Sequence, residues 1–251
     1  MSGRLPLPIL NTMLQTKQLG IEVAELAGRG RGVLATLTHP AGALVVPATE
    51  ALAHSSRAPF ALPPPTGAAD ARAAFEEYDA AARSLLRSDR RYPRLVAQVA
   101  ARLATEPAEG SAYAVAVASL CAPRLAAIPE PWREDCADVR HALRFAPVDF
   151  LGEAWYAGVC GRVHLNALRA AADGSSVALP FLASFLNHAA DATLEIAWDD
   201  RGEPAFHASR EVQAGEELTI DYAHDAPPGP ARAAFFRDQY GFEEEAAGSP
   251  T

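Results

Sequence analysis

The stretch FLASFLNHAADATLEI, residues 181–196, places two polar side chains at the end of an apolar run. The run from Phe181 to Leu186 is mostly apolar, which indicates burial. Asn187 and His188 follow it directly, and a second apolar run begins a few residues later. A polar group buried without a partner costs about 2–7 kcal/mol. We therefore expect this pair either to cap a turn or to hold a ligand.

Composition narrows the classes of protein to which the chain could belong. Its 251 residues are 49% hydrophobic and 21% charged, which suits one large domain, or one domain with an insertion, around a packed core. The formal net charge of -9 disfavours binding to a nucleic-acid backbone. An acidic surface is compatible with a basic partner, such as a protein that presents lysine.

Cysteine usage and hydropathy bear on the compartment. Cys121, Cys136 and Cys160 form no CxxC pair, which argues against a disulfide framework and against a four-cysteine zinc site. A reducing, intracellular compartment, cytoplasmic or nuclear, follows. No run of 18 apolar residues predicts a membrane span, and the N-terminus lacks the compact apolar core of a secretory signal. The first acidic residue is Glu22, which leaves import into an organelle open.

Hydrophobic periodicity predicts strands at both ends of the chain and helices between them. Residues 20–53 alternate in a β-like manner, and alternation returns from residue 176 onward, where DDRGE at residues 199–203 is a hairpin turn signal. Residues 71–145 are rich in Ala, Leu and Arg, which favour helices. Residues 148–173 add a further helical stretch, and 230–242 close the chain as a short helix. The pattern predicts an α+β domain whose strands come from both ends.

A glycine-rich stretch, GRGRGVLAT at residues 28–36, is the first candidate for ligand binding. Closely spaced glycines let a backbone adopt positive φ or approach a ligand. The stretch is not a dinucleotide fingerprint, because GxGxxG fails at Val33 and β-like residues follow. It is not a P-loop either, since no GK[ST] follows. By itself it predicts a turn between two strands.

Two other motifs are ambiguous when taken alone. The segment NHAAD could supply metal ligands from His188 and Asp191, with only His164 and His207 in reach by sequence, or it could form an Asx-type turn. GEELTIDY, residues 215–222, is an ordinary hairpin strand that ends in tyrosine. No GxSxG and no recognisable cysteine nucleophile motif supports acyl-transfer chemistry.

The order of these pieces is more specific than any one of them. A Gly-x-Gly turn near the N-terminus is followed by FLNHAADA, then by GEELTIDY, then by ARAAFFRDQYGF. This order resembles the SET-domain protein methyltransferases over residues 20–53 and 150–243. The helical middle looks like the insertion found in the Rubisco large-subunit methyltransferase-like and SET–MYND-like groups.

The resemblance implies a fold and a division of the chain. The fold would be α+β, a SET fold of small β-sheets with a pseudoknot, interrupted by a helical insertion. One SET domain would span residues 20–243. Its parts would be two halves at about 20–53 and 150–223, an insertion at about 67–145, and a short post-SET segment at 230–243.

The resemblance also implies roles for individual residues. The Gly-x-Gly turn would lie against the methionine part of S-adenosylmethionine, and the Asn-His pair would contribute to the same cofactor site. The tyrosine after GEEL would be the catalytic tyrosine, and the last aromatic residue would line the adenine site or the lysine channel. The implied cofactor contacts are Gly30, Arg31 and Gly32 (with Gly28 as a second register), Asn166 (with Arg162 as second choice), Asn187, His188, Tyr222 and Phe242.

The implied activity is S-adenosylmethionine-dependent methyl transfer to a lysine of a protein substrate, without nucleic acid or membrane as partner. The chain departs from the SET–MYND-like pattern, because NHAADAT lacks the usual Cys and Pro-Asn after the Asn-His pair. No cysteine cluster follows YGF, so no post-SET or MYND zinc is expected. A histidine or another side chain stays open as the acceptor. The alternative is a catalytically silent SET domain that acts as a protein-binding scaffold.

Overall fold

The structure is a computed structural model, and the chain in it divides into two compact units. One unit contains residues 51–180 and 1–3, and the other contains residues 4–50 and 181–251. The domain boundaries expected from sequence stay a prediction. The residues that the structure describes are 6–8, 11–12, 18–48, 52–54, 91–105, 112–120, 130–143, 152–169, 176–223 and 229–240.

Strands and helices occur where the sequence places them, in the order of an α+β protein. The described strands are β1 (Ile21–Leu26), β2 (Gly30–Ala35), β3 (Leu44–Val46), β4 (Ala53–His54), β5 (Leu168–Arg169), β6 (Val177–Leu179), β7 (Asn187–His188), β8 (Leu194–Trp198), β9 (Pro204–Ala208) and β10 (Glu217–Ile220). The described helices are α1 (Arg91–Thr105), α2 (Ala112–Ser119), α3 (Glu130–Leu143), α4 (Glu153–Asn166) and α5 (Pro230–Tyr240), with a short 3-10 helix at Leu182–Phe185.

The β1–β2 hairpin confirms the predicted turn between two strands. Ile21 and Val23 are buried while Glu22 is exposed, which is the alternation that places one face of a strand against a core. The connecting turn is short and has positive φ at Gly28 (74°) and Gly30 (73°), a conformation that glycine adopts without steric cost. Because β2 already begins at Gly30, the Gly-x-Gly motif lies in the strand and not in the turn itself.

A four-stranded sheet in the order β1-β2-β10-β7 forms the centre of the unit that contains residues 4–50 and 181–251. Strand β10 pairs antiparallel with β2. On its other side β10 pairs parallel with β7, so that Thr219 faces Asn187 and Ile220 faces His188. A parallel pair needs a crossover connection. The segment from β7 to β10 supplies it and carries the β8–β9 hairpin.

The β8–β9 hairpin confirms the turn predicted at DDRGE. Its strands pair antiparallel from Leu194 opposite Ala208 to Trp198 opposite Pro204. The Asp199 carboxylate accepts hydrogen bonds from the backbone N–H groups of residues 201 and 203, which closes the turn. Together with β3, the hairpin forms a second sheet in the order β3-β9-β8.

Strand β1 is the outer edge of the four-stranded sheet, and one side chain covers part of it. The Asn11 amide nitrogen donates to the Val23 carbonyl at 3.0 Å, and the Val23 N–H donates to the Asn11 amide oxygen at 2.8 Å. Asn11 therefore satisfies both backbone groups of Val23 on the side where the described residues supply no neighbouring strand.

The core of this unit joins both sheets and helix α5. Two threonines, Thr193 and Thr219, are buried there and exchange hydrogen bonds between side chain and backbone in both directions. Buried hydroxyl groups are therefore satisfied next to the β10–β7 pair. The largest fully buried side chains of this core are Val23, Leu186, Phe206, Leu218, Ile220 and Phe236.

The other unit is mainly helical. Helices α1, α3 and α4 pack on one another, and α1 also contacts a small sheet in the order β4-β6-β5. The His164 ring lies stacked between Tyr92, at 4.4 Å between ring centroids, and Trp132, at 4.6 Å. These three residues come from α4, α1 and α3, so the stack joins all three helices.

Helices occupy the described part of the predicted helical middle. Helix α2 settles the segment YAVAVA, whose alternation also suited a strand, as helical. In α4 the helix persists through Gly158 and Gly161 to Asn166, and an extended segment follows at Leu168–Arg169. Residues 71–90 of the predicted helical region lie outside the described residues. Among the helices that the structure describes, none is long and apolar enough to cross a membrane.

Gly158 of α4 offers a test of the helical assignment. A Cβ at this position would lie 3.5 Å from the Arg162 guanidinium, an ordinary van der Waals distance. Alanine is favoured over glycine in a helix by about 1 kcal/mol. We expect Gly158→Ala to raise the free energy of unfolding by about 0.4–1 kcal/mol in urea denaturation. A less stable variant would contradict a helix at this position.

Candidate functional site

Tyr222 follows the end of β10 and forms hydrogen bonds with His188 of β7 and with Leu186, the residue before β7. Its hydroxyl donates a hydrogen bond to the Leu186 carbonyl at 2.7 Å. Its backbone N–H points to Nδ1 of His188 at 3.3 Å. The parallel β10–β7 pair therefore continues into contacts that fix both the backbone and the side chain of the predicted catalytic tyrosine.

His188 contacts the end of β10 and helix α5. Because Nδ1 accepts the Tyr222 N–H, the proton of the neutral ring lies on Nε2. The ring packs on Phe236 of α5, with centroids 4.4 Å apart. The Asp221 carboxylate lies 3.7 Å from Nδ1. The ring thus occupies a mixed environment of aromatic rings, one carboxylate and one backbone amide.

Asp221 and Arg232 connect the end of β10 to α5. Both terminal guanidinium nitrogens of Arg232 donate to the Asp221 carboxylate, at 2.7 and 3.1 Å, and one also donates to the Ala223 carbonyl at 2.8 Å. The Arg232 side chain is only 8% exposed. A two-point arginine–carboxylate pair of this kind sets orientation as well as contributing energy. Helix α5 is therefore held against the residue that precedes Tyr222.

Asn187 lies against the Gly-x-Gly strand. Its amide nitrogen donates to the Arg31 carbonyl of β2 at 3.3 Å and to Glu217 Oε1 of β10 at 2.9 Å. A Cβ on Gly32 would lie 2.9 Å from this nitrogen, closer than a Cβ atom is found to a heavy atom. Glycine at position 32 is therefore the condition for Asn187 to approach β2.

Arg29, in the β1–β2 turn, completes a small charged network. Its guanidinium donates to Glu217 Oε2 at 2.8 Å and to the His188 carbonyl at 2.7 Å. The Arg29 side chain is 46% exposed and that of Glu217 is 20% exposed. Because Glu217 uses its other oxygen for Asn187, one carboxylate connects the turn, β10 and β7.

The two adjacent glutamates of GEEL have different partners. Glu216 belongs to the turn before β10, where it accepts hydrogen bonds from the Arg210 guanidinium and from the Gln213 N–H. The Arg210 hydrogen bond, helped by that of Gln213, lowers the pKa of the Glu216 carboxyl. Glu217 instead faces Asn187 and Arg29. Strand alternation places neighbouring side chains on opposite sides, which explains the difference.

An aromatic cluster surrounds Tyr222. Its ring centroid lies 4.8 Å from that of Tyr240 and 5.4 Å from that of His188. Phe235 packs edge-on against both Phe236 and Tyr240. Helix α5 therefore supplies the aromatic residues near Tyr222. Phe242, the aromatic residue predicted for this role, lies outside the described residues.

The structure brings together most, not all, of the site residues expected from sequence. The Gly30–Gly32 segment, Asn187, His188 and Tyr222 lie on the adjacent strands β2, β7 and β10 or directly after them. Asn166 is buried at the end of α4 in the other unit, where its amide donates to the Arg162 carbonyl at 2.7 Å. A cofactor contact by Asn166 stays a prediction. Within the described segments, no group of three or more His, Cys, Asp or Glu residues is placed to hold a metal ion.

Several residues of this site were not identified from sequence. Arg29 lies in the glycine-rich stretch, which by itself predicted only a turn, and Glu217 lies in GEELTIDY, which by itself predicted only a hairpin strand. The aromatic spacing of FFRDQY could have identified the packing face of α5, because residues four apart share one side of a helix. No local pattern indicated the pairing of Asp221 with Arg232. The residues missed are Arg29, Glu217, Asp221, Arg232, Phe236 and Tyr240.

Replacement of Gly32 by alanine tests the close approach of Asn187 to β2. The added Cβ would lie 2.3 Å from Leu26 Cδ1, which can rotate away, and 2.9 Å from the Asn187 amide, which two hydrogen bonds hold. Overpacking of this kind costs about 1–3 kcal/mol. We expect Gly32→Ala to lower the free energy of unfolding by that amount in urea, whereas Gly158→Ala should not. If Gly32→Ala leaves the free energy of unfolding unchanged, the close approach of Asn187 to β2 is contradicted.

Comparison with known proteins identifies relatives of one family. The sequence model of the SET domain matches residues 30–223, which is most of the chain. The curated protein named histone-lysine N-methyltransferase ATXR4, from Arabidopsis thaliana, is 28% identical over 115 residues. That similarity covers 38% of this chain and 35% of the relative, so the chain spans about a third of the relative's length.

Solved structures with a similar fold are those of Rubisco LSMT. The structure described as bound to AdoMet has a TM-score of 0.60 at 14% identity and covers 95% of this chain and 56% of that chain. The SET domain of LSMT bound to lysine and AdoHcy has a TM-score of 0.55 at 13% identity and covers 95% of this chain and 57% of that chain. At such identity the likeness shows the fold, which agrees with the sequence match. The chain therefore belongs to the SET-domain family.

Proposed function

We propose that the chain is an S-adenosylmethionine-dependent protein-lysine N-methyltransferase. The observation that carries this proposal is the β2–β10–β7 arrangement, which gathers Gly30–Gly32, Asn187, His188 and Tyr222 into one region. These are the residues to which the family resemblance assigns the cofactor and the catalytic tyrosine. Solved structures of this fold contain AdoMet, or AdoHcy with lysine, which supports the same ligands.

The residues present fit the amino-acid end of S-adenosylmethionine. Because the Asn187 amide nitrogen donates to Arg31 O and Glu217, the amide oxygen Oδ1 is directed away from them as an acceptor. An α-ammonium group is a donor without acceptor capacity, and Oδ1 suits it. A Cβ on Gly30 would meet nothing within 4 Å, so a ligand can come close to the backbone of β2 at that residue. Asn187 and the Gly-x-Gly strand would therefore bind the methionine end together.

When bound, the cofactor would supply a methyl group on a positively charged sulfur. The neutral amine of lysine would form a bond to the methyl carbon while the carbon–sulfur bond breaks and the sulfur leaves as a neutral thioether. Free lysine has a pKa of about 10.4, so the site has to favour loss of a proton to solvent before transfer. Apolar, aromatic surroundings lower the pKa of an amine by burial. The ring of Tyr240, which lies near the rings of Tyr222 and Phe236, would contribute to such surroundings.

Tyr222 would orient the incoming amine. Its hydroxyl donates to the Leu186 carbonyl. A hydroxyl oxygen has acceptor capacity as well, which an amine N–H could use. An amine held in this way directs its nitrogen lone pair rather than its N–H bonds along the line of attack. Correct placement of two reacting groups can supply up to about 7–11 kcal/mol of the barrier reduction. The hydrogen bonds of Tyr222 to Leu186 and His188 hold its side chain and backbone in place, which suits that task.

Calorimetric titration with S-adenosylmethionine tests the cofactor site. We expect the wild-type protein to bind with a constant of about micromolar, equivalent to about -8 kcal/mol. Asn187→Ala removes the acceptor for the ammonium and should abolish measurable binding. Asp200→Ala, exposed in the β8–β9 turn, is the control and should bind as the wild type does. Asn166→Ala in the same series tests the other contact that the resemblance implies.

Binding that is absent from a well-folded wild type would contradict the proposal. That result would favour the catalytically silent SET domain, a scaffold that captures its partners equally well with and without cofactor. Micromolar binding that Asn187→Ala leaves unchanged would instead place the cofactor elsewhere in the chain.

Tyr222→Phe tests the catalytic assignment. The variant keeps the aromatic ring and its packing but loses the hydroxyl and its hydrogen bond to Leu186. We expect methyl transfer from radiolabelled cofactor to a panel of lysine-containing proteins to fall by about 10²-fold, or the number of methyl groups added per lysine to change. Cofactor affinity should be retained, which calorimetry on the same preparation checks. An unaltered rate with an unaltered product would refute the role of the hydroxyl.

A further inference from the structure

We propose that Glu217 is a positioning residue, which fixes the orientation of the Asn187 amide, and that Arg29 holds the Glu217 carboxylate in place. The inference rests on the proposed function, because it concerns how the same site recognises the amino-acid end of the cofactor. It adds two residues that the family resemblance did not assign. The network consists of Arg29 in the β1–β2 turn, Asn187 in β7 and Glu217 in β10.

The orientation of an asparagine amide is set by its neighbours, because its oxygen and nitrogen ends have almost the same shape. Around Asn187 both neighbours of the nitrogen end are acceptors: the Arg31 carbonyl at 3.3 Å and Glu217 Oε1 at 2.9 Å. An ionised carboxylate accepts hydrogen bonds and donates none. The oxygen end could not replace the nitrogen end there without repulsion, so Oδ1 is kept on the opposite side.

Arg29 explains why the carboxylate stays in this position. Its guanidinium takes Glu217 Oε2 at 2.8 Å and so leaves Oε1 for Asn187. Its other nitrogen donates to the His188 carbonyl at 2.7 Å, which ties the turn to the strand that carries Asn187. Hydrogen bonds between charged groups are about twice as strong as neutral ones. The two ends of the carboxylate are therefore committed to two different elements.

This arrangement has a consequence for ligand selection. With Oδ1 facing the ligand, Asn187 favours a cationic donor such as an ammonium group. With the amide reversed, the nitrogen end would face the ligand and would disfavour that group. Glu217 therefore contributes to recognition of the amino-acid end and not to recognition of the adenosine end.

Two ligands distinguish recognition of the amino-acid end of the cofactor from recognition of its adenosine end. S-Adenosylmethionine contains the ammonium group, and 5′-methylthioadenosine contains the adenosine and the sulfur but lacks the amino-acid end. Calorimetric titration of Glu217→Gln should give about tenfold weaker binding of S-adenosylmethionine than the wild type, the loss of a charge-assisted hydrogen bond. Binding of 5′-methylthioadenosine should be unchanged. Glutamine keeps the size of the side chain but offers a donor that lets the Asn187 amide reverse.

Glu216→Gln is the matched control, because it makes the same chemical change at the adjacent turn residue. It should bind both ligands as the wild type does. The inference is overturned if Glu217→Gln binds S-adenosylmethionine as tightly as the wild type. It is equally overturned if Glu217→Gln weakens both ligands by the same factor, since that would indicate a general structural effect.

A double-mutant cycle tests the network even if the wild type binds neither ligand, a result that would refute the proposed function. Unfolding in urea is measured for Glu217→Gln, Asn187→Ala and the combination. We expect the combined change in the unfolding equilibrium constant to be at least fivefold smaller than the product of the single changes. For Glu216→Gln combined with Asn187→Ala, the change in the unfolding equilibrium constant should equal the product of the two single changes. Equal behaviour of the two pairs would overturn the inference.

Arg29→Gln provides a second variant if Glu217→Gln does not fold. Arg29 is half exposed, so its replacement threatens the fold less than a change within β10. Loss of the guanidinium releases the Glu217 carboxylate, and we expect S-adenosylmethionine to bind about three- to tenfold more weakly while 5′-methylthioadenosine binds as before. Unchanged affinity for S-adenosylmethionine would contradict the role given to the pair.

Discussion

The parallel pairing of β10 with β7 is the interaction on which the candidate site depends. It is short, with only Thr219 opposite Asn187 and Ile220 opposite His188. Two residue pairs contribute little by themselves against the entropy of closing the intervening segment. The buried Thr193–Thr219 hydrogen bonds and the Tyr222 hydroxyl on Leu186 reinforce the pair on either side. Without this closure, the Asn-His pair and the tyrosine would belong to unrelated surfaces.

The two polar residues at the end of the apolar run both have hydrogen-bond partners in or directly after a distant strand. His188 accepts the backbone N–H of Tyr222, which is a structural task. Asn187 uses its nitrogen end for the Arg31 carbonyl of β2 and the Glu217 carboxylate of β10. Polar groups at such positions are therefore satisfied by partners distant in sequence, which offsets the cost of removing them from water.

Sequence patterns of a few neighbouring residues predicted the hairpins and the helices, because short-range interactions determine these elements. The alternation around Val23 and the DDRGE turn predicted the two hairpins, and Ala, Leu and Arg in residues 91–105 predicted helix α1. The order of the motifs predicted the family, which the match over residues 30–223 confirms. Periodicity reports which face of an element is buried, but it does not report the partner of a charged side chain across a distant strand pairing.

The partners of Arg29, Glu217 and Arg232 therefore had to come from the structure. Arg29 and Glu217 are far apart in the chain, and only the β2–β10 pairing brings them together. The Gly-x-Gly motif lies in a strand and not in the predicted turn for a different reason. Positive φ at Gly28 and Gly30 closes the turn early, so the motif falls in the strand. In that position its backbone carbonyl can accept the Asn187 amide.

The side chain of Asn11 on the outer edge of β1 has a consequence for self-association. An open edge presents unpaired N–H and C=O groups that another chain can extend as a further strand. Asn11 offers Val23 one donor and one acceptor, as a neighbouring strand would, but a side chain cannot propagate a ladder. A single amide thus makes the midpoint of this edge a poor template for the growth of a sheet from one molecule into the next.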